Sequence, residues 1–122
     1  MAKMTVKAAY QKLIAYALTF PEAHLDHPWG HDAVKVGKKM FATFGGEEGG
    51  ADFSMSVKLP VSSEMALTLP WVESTGYGLG KAGWVTARLT RGGDFDIATM
   101  QGWIEQSYRA VAPKKLVKTL DA

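Results

Sequence analysis

Between residues 52 and 58, Phe53, Met55 and Val57 alternate with Ser54, Ser56 and Lys58. A period of two residues places the apolar set on one face and the polar set on the other, as in a strand with one buried and one wet face. Residues 84–90 repeat the pattern, with Val85, Ala87 and Leu89 on one side and Trp84, Thr86, Arg88 and Thr90 on the other. The chain ends do not share this period. Val6, Tyr10, Leu13, Ile14, Ala17 and Leu18 follow helical spacing, capped by Thr5 and stopped by Pro21. Met100, Trp103, Ile104, Ser107, Tyr108 and Val111 do so again behind Asp96 as cap, and Pro113 closes that helix. Strands that are half apolar need one covering layer, and these helices can supply it.

Two further strands are read at 33–36 and 39–44, joined by Gly37-Lys38, a pair suited to a type II′ hairpin turn. Ser62 or Ser63 caps a short helix running to Leu69, before Pro70. Residues 22–32 read as a polar loop and 45–50 as a flexible connection, and the basic tail (Lys114, Lys115, Lys118) carries at most one more turn. The expected fold is α+β, a two-layer sandwich of an antiparallel sheet with helices on one face, in the order α-β-β-β-α-β-α. At 122 residues with 47% hydrophobic content, residues 1–122 form a single domain with one core.

The charge balance excludes little. Fourteen basic against twelve acidic residues give a net charge of +2, which permits contact with nucleic acid only where the cations cluster. There is no cysteine, so disulfides, thiolate metal sites and cysteine nucleophiles are out. Cysteine-free composition fits a cytoplasmic protein. No apolar run is long enough to cross a membrane, and the N-terminal segment lacks a signal-peptide cleavage pattern.

The glycine-rich stretch 76–83 invites comparison with a phosphate loop and fails it. Thr75 stands where a Walker A loop has its first glycine, Ala82 where it needs a hydroxyl, and a helix precedes where a strand belongs. Lys81 occupies the place of the last glycine in a dinucleotide fingerprint. The segment reads as a turn that delivers Trp84 onto a strand. His24, His27 and His31, beside Asp26 and Asp32, have metal-ligand chemistry, but Pro28 breaks any helical face and exposed loop histidines are the plainer account. No metal or cofactor is expected. Ser107 and Tyr108 lie on an apolar stripe, where packing with an internal hydrogen bond is the default. No serine has a nucleophile-elbow context and no carboxylate pair is placed by spacing, so no catalytic residue is assigned.

Several motifs occur in one order: Pro28-Trp29-Gly30, Val36 to Ala42, Val57-Lys58, Gly76-Tyr77-Gly78-Leu79 with Lys81, Gly83-Trp84-Val85, and Trp103-Ile104 with Ser107-Tyr108. This ordered set resembles the MmcQ/YjbR family of small bacterial proteins over nearly the whole chain. The resemblance implies a two-layer α/β arrangement similar to that of type III secretion chaperones. It also implies DNA binding through a double wing of β-hairpins, with no enzymatic activity or cofactor. One departure stands out: Glu47 and Glu48 would repel phosphate if the 45–50 loop were a wing tip.

The candidate nucleic-acid-binding residues form two groups. Lys35, Lys38 and Lys39 belong to the first hairpin. Lys58, Lys81 and Arg88 would surround Trp84 if strands 52–58 and 84–90 are neighbours. An aromatic beside cations suits base stacking with phosphate contact. It equally suits a surface cation-π pair, and the hairpin lysines equally suit protection of a sheet edge. The expected partner is DNA, held weakly and with little sequence preference. The alternative is a protein or peptide docked on the sheet face or its edge, which the chaperone-like order and Trp71 in the 70–72 loop would serve.

Overall fold

The computed structural model describes residues 6–26, 32–45, 53–69, 72–75, 83–89 and 97–120. Ten elements follow in chain order: α1 (Val6–Ala17), β1 (Ala23–Asp26), β2 (Asp32–Val36), β3 (Lys39–Gly45), β4 (Phe53–Lys58), α2 (Ser63–Ala66), β5 (Val72–Ser74), β6 (Trp84–Leu89), α3 (Ile97–Val111) and α4 (Lys114–Leu120). The six strands form one antiparallel sheet in the order β1-β2-β3-β4-β6-β5. Helix α3 packs across β3 and β4, and α1 packs against α3.

The alternation read from the sequence is what builds the core. Met55 and Val57 of β4 are buried, as are Val85 and Ala87 of β6, which stand opposite them in register. From the helical layer, Met100, Trp103, Ile104, Ser107 and Tyr108 of α3 and Ala9, Tyr10, Leu13 and Ala17 of α1 complete it. Tyr108 stacks on Phe20 at 4.8 Å and meets Phe41 edge-on at 5.1 Å. Its hydroxyl donates to the Pro21 carbonyl at 2.7 Å, so the phenol is buried without an unpaired polar atom.

Three features differ from the expectation. The stretch 22–32 is not all loop, because Ala23–Asp26 pairs with β2 as an edge strand. Its residues Ala-His-Leu-Asp alternate over only four positions and Leu25 is exposed, so backbone ladder bonds rather than a buried face hold the strand. A second short edge strand, β5, pairs with β6. The basic tail is a seven-residue helix, anchored by Leu116. The caps expected at Thr5 and Asp96, and Pro70, Trp71, His27, His31 and the 46–50 loop, lie outside the described residues.

Two glycines hold required geometry. Gly37 has φ +63° at the first turn position of the β2–β3 hairpin, as a type II′ turn demands. Gly83 has φ +94°, and its carbonyl accepts the Leu59 N–H at 2.8 Å. A Cβ there would stand 2.8 Å from the Pro60 Cα. The glycine-rich stretch therefore ends in a close backbone crossing that sets the start of β6.

Burial raises the phenol pKa of Tyr108 above its ordinary value, and Glu22 adds to the effect. Burial does the same for Tyr16, with Glu105 adding. Both phenols keep their protons in the folded state to higher pH than in the unfolded chain. Below about pH 10 neither state ionises and stability is unaffected. Above it the unfolded chain releases protons first, so these groups lower stability as pH rises. Urea midpoints measured from neutral pH to above the tyrosine range should fall, and Tyr16→Phe should flatten the decline.

A lysine-walled cavity at the end of the sheet

In the β2–β3 pair, Val34 faces Ala42 but Lys35 faces Met40. Phe41 is the extra residue of a β-bulge. The bulge turns Phe41 and Ala42 both into the core, where each is fully buried. It also moves Met40 onto the opposite face, beside Lys35. Ala42 stands opposite Val57, which puts Lys58 next in line on that same outer face, and Lys58 is directly opposite Trp84. Lys35, Met40, Lys58 and Trp84 thus form one row across β2, β3, β4 and β6. Three inter-strand steps make the row about 14 Å long.

The hairpin turn at Gly37-Lys38 stands at the end of this row, as does the C-terminal end of α3. Together Lys35, Lys38, Lys39, Met40, Lys58, Trp84 and Val111 line a cavity of about 430 Å³. Lys38 and Lys39 are exposed, whereas Lys35, Met40, Lys58, Trp84 and Val111 are half-buried. Lys35 is bound to Asp26 of β1 at 2.7 Å. Among the described residues, no carboxylate lies within ion-pair distance of Lys38, Lys39 or Lys58. A cleft lined by one sign of charge focuses its field and raises the local concentration of anions. Trp84, Met40 and Val111 supply apolar surface beside those cations.

Ser107 of α3 holds the row in place. Its hydroxyl accepts the Lys58 backbone N–H at 2.9 Å and donates to the Phe41 carbonyl at 2.5 Å. Phe41 is opposite Lys58 in the ladder continued from Ala42 and Val57. The serine thus bridges backbone groups of β3 and β4 just past the Ala42–Val57 pair, where their ladder ends. It is fully buried, as its place on the apolar stripe implied.

Of the residues singled out in the sequence, Lys35, Lys38, Lys39, Lys58 and Trp84 meet at this cavity. Lys58 and Trp84 of the second group thus share one cavity with the hairpin lysines. Arg88 stands apart. Four residues along β6 put it about 13 Å from Trp84, opposite Ser54 and bound to Glu73 of β5 at 2.5 Å. Lys81 lies outside the described residues. Edge protection does not account for the hairpin lysines, since β2 and β3 are interior strands and the edges are β1 and β5. Met40 and Val111 were not singled out. Strand parity without the bulge sends Met40 to the wrong face, and Val111 reads as one more residue of the α3 stripe.

The described lining residues are four lysines and three apolar side chains, a set that attracts anions and offers apolar contact. Among the described residues no group of histidines and carboxylates could hold a metal ion. His24 is exposed on β1, with its ring facing the Glu22 carbonyl at 3.4 Å. No helix among the described residues is long and apolar enough to cross a membrane.

Fold and cavity together define a small α+β domain, a six-stranded antiparallel sheet under one helical layer, with a cationic pocket at one end. The chain belongs to the YjbR family, whose family model matches residues 18–110. It is similar in structure to a Deinococcus radiodurans protein with domain DUF419, at a TM-score of 0.71 and 22% identity over 92% of this chain and 87% of that one. It is also similar to a Pseudomonas syringae protein, at a TM-score of 0.64 and 20% identity over 83% of this chain and 97% of that one. At such identity these likenesses concern the fold alone. No curated protein matches the chain.

Proposed function

We propose that this protein binds nucleic acid weakly and with little sequence preference, through the cavity formed by the hairpin lysines, Lys58 and Trp84. The observation that carries this reading is the convergence of four lysines and a tryptophan on one cavity, three of those lysines without an acidic partner among the described residues. Phosphate contacts supply most of the affinity of sequence-independent binding, and an aromatic face accepts any base. Arg88, held by Glu73, takes no direct part.

The test is a titration with short DNA at two salt concentrations. Affinity for duplex should fall by roughly 0.9 log units per log unit of salt for each phosphate contacted. A peptide docked on the sheet face by apolar burial would show little such dependence. The double variant Lys38→Glu/Lys39→Glu reverses two of the four charges. It should lower affinity at low salt by more than about tenfold and flatten the log–log salt slope by about 1.4 to 1.8, the share of two phosphate contacts. Arg88→Ala should change neither quantity. Unchanged affinity in the double variant would remove the hairpin from the site.

A further inference from the structure

We infer that the cavity takes one unpaired nucleotide, its base against Trp84 and its phosphates on the surrounding lysines, so that the protein prefers single-stranded nucleic acid to duplex. The inference rests on the nucleic-acid reading above and names the form of nucleic acid the site accepts. It follows from how the lining is arranged. Trp84, Met40 and Val111 are the apolar members and are half-buried, whereas Lys38 and Lys39 are exposed. Lys35 and Lys58 are half-buried beside them, so the floor is apolar surface with cations alongside it, and Lys38 and Lys39 stand at the rim.

A ligand that matches this lining has a flat apolar part to lie on the indole and anionic groups for the lysines beside it. A nucleotide has both. The volume of about 430 Å³ is in the range of small-ligand sites. Lys58 is directly opposite Trp84 in the β4–β6 ladder, a placement with about 5 Å between Cβ atoms. Its four-carbon stem can reach a phosphate attached to a base that lies on the indole.

A duplex cannot use this arrangement. Its base faces are covered by their neighbours in the stack, so a concave site meets only sugar and phosphate. Against duplex the lysines would still act and Trp84 would not. A single strand offers unstacked bases and engages both.

The test compares a short oligothymidylate, its duplex with oligoadenylate, and thymidine monophosphate, each titrated into the full chain at about 50 mM salt, where phosphate contacts are strong. The single strand should bind at least about tenfold more tightly than the duplex, and Trp84→Leu should weaken it by about 5- to 150-fold, the contribution of one base–aromatic stack. Trp84→Phe, which keeps a stacking face, should retain most of the affinity. Duplex affinity should be the same in all three proteins. Thymidine monophosphate binding as tightly as the oligomer would support the unpaired-nucleotide site and identify free nucleotides as its source. Much weaker binding would support it with a strand as the source. Equal affinity for single strand and duplex, or loss in Trp84→Leu of both alike, would overturn the preference and leave nucleic-acid binding standing. Absence of binding to either oligomer would overturn both.

Discussion

Gly83→Ala should destabilise the protein by about 3 kcal/mol. Two costs combine. An L-residue held at φ +94° loses about 1–2 kcal/mol from left-handed backbone strain. The added Cβ would also stand 2.8 Å from Pro60 Cα and 3.0 Å from the Leu59 carbonyl carbon and oxygen. Those are backbone atoms, which cannot rotate away as a side-chain tip would, and overpacking of this kind costs about 1–3 kcal/mol. The hydrogen bond from Leu59 N–H to the Gly83 carbonyl ties the same two segments together, so any retreat strains that bond. Gly37→Ala separates the two terms. Its φ is +63° but nothing lies within 4 Å of an added Cβ, so only the strain of about 1–2 kcal/mol should be lost. Urea denaturation of both variants, with unchanged m-values, measures the difference. Equal destabilisation would show that the Gly83 crossing is looser than the structure has it.

Ser107→Ala should cost about 2–6 kcal/mol, because each of two buried backbone groups left without a partner loses about 1–3 kcal/mol. The two groups are the Lys58 N–H and the Phe41 carbonyl. The variant should also reach the cavity. Lys58 is fixed at the end of β4 through the bond its backbone makes to Ser107, so its amide should exchange with solvent faster and the β3–β4 ladder should fray from that end. Hydrogen exchange read residue by residue would show this at Lys58 before it appears at Met55. A loss below about 0.5 kcal/mol, within the range of an ordinary surface substitution, would mean that the strands close and bond directly, making the serine dispensable. Affinity for nucleic acid should fall along with local order at Lys58, while Lys38 and Lys39 stay where the turn puts them.

Both positions show how unevenly the structure can be read from the sequence. Helix α3 is legible because Met100, Trp103, Ile104, Ser107 and Tyr108 repeat at helical spacing, and all five are buried. Strands β4 and β6 are legible because alternation marks a sheet with one covered face. Strand β1 is not, since four residues, Ala-His-Leu-Asp, are too few for a period to stand out and the strand depends on backbone pairing with β2. Only three residues of β5 pair, too few for a period. The bulge at Phe41 is hidden for another reason. Met40, Phe41 and Ala42 are all apolar, so the sequence does not mark where the register slips.

The site divides in the same way. Lys35, Lys38, Lys39, Lys58 and Trp84 are recognisable one strand at a time, because parity and turn type assign each to a face or a turn. Their convergence depends on the strand order β2-β3-β4-β6 and on the one-residue shift that moves Met40 beside Lys35. Arg88 shows the converse, sharing the face of Trp84 by parity yet bound to Glu73 of a strand whose pairing no local pattern marks. The sequence by itself determined the two-layer α+β fold, the faces of its principal strands and helices, and the strand that Trp84 opens. Only the tertiary structure decided that the hairpin lysines meet Lys58 and Trp84 at one cavity, and that Arg88 is not among them. Periodicity is a local property of the chain, whereas register and strand order follow from contacts between residues far apart in it.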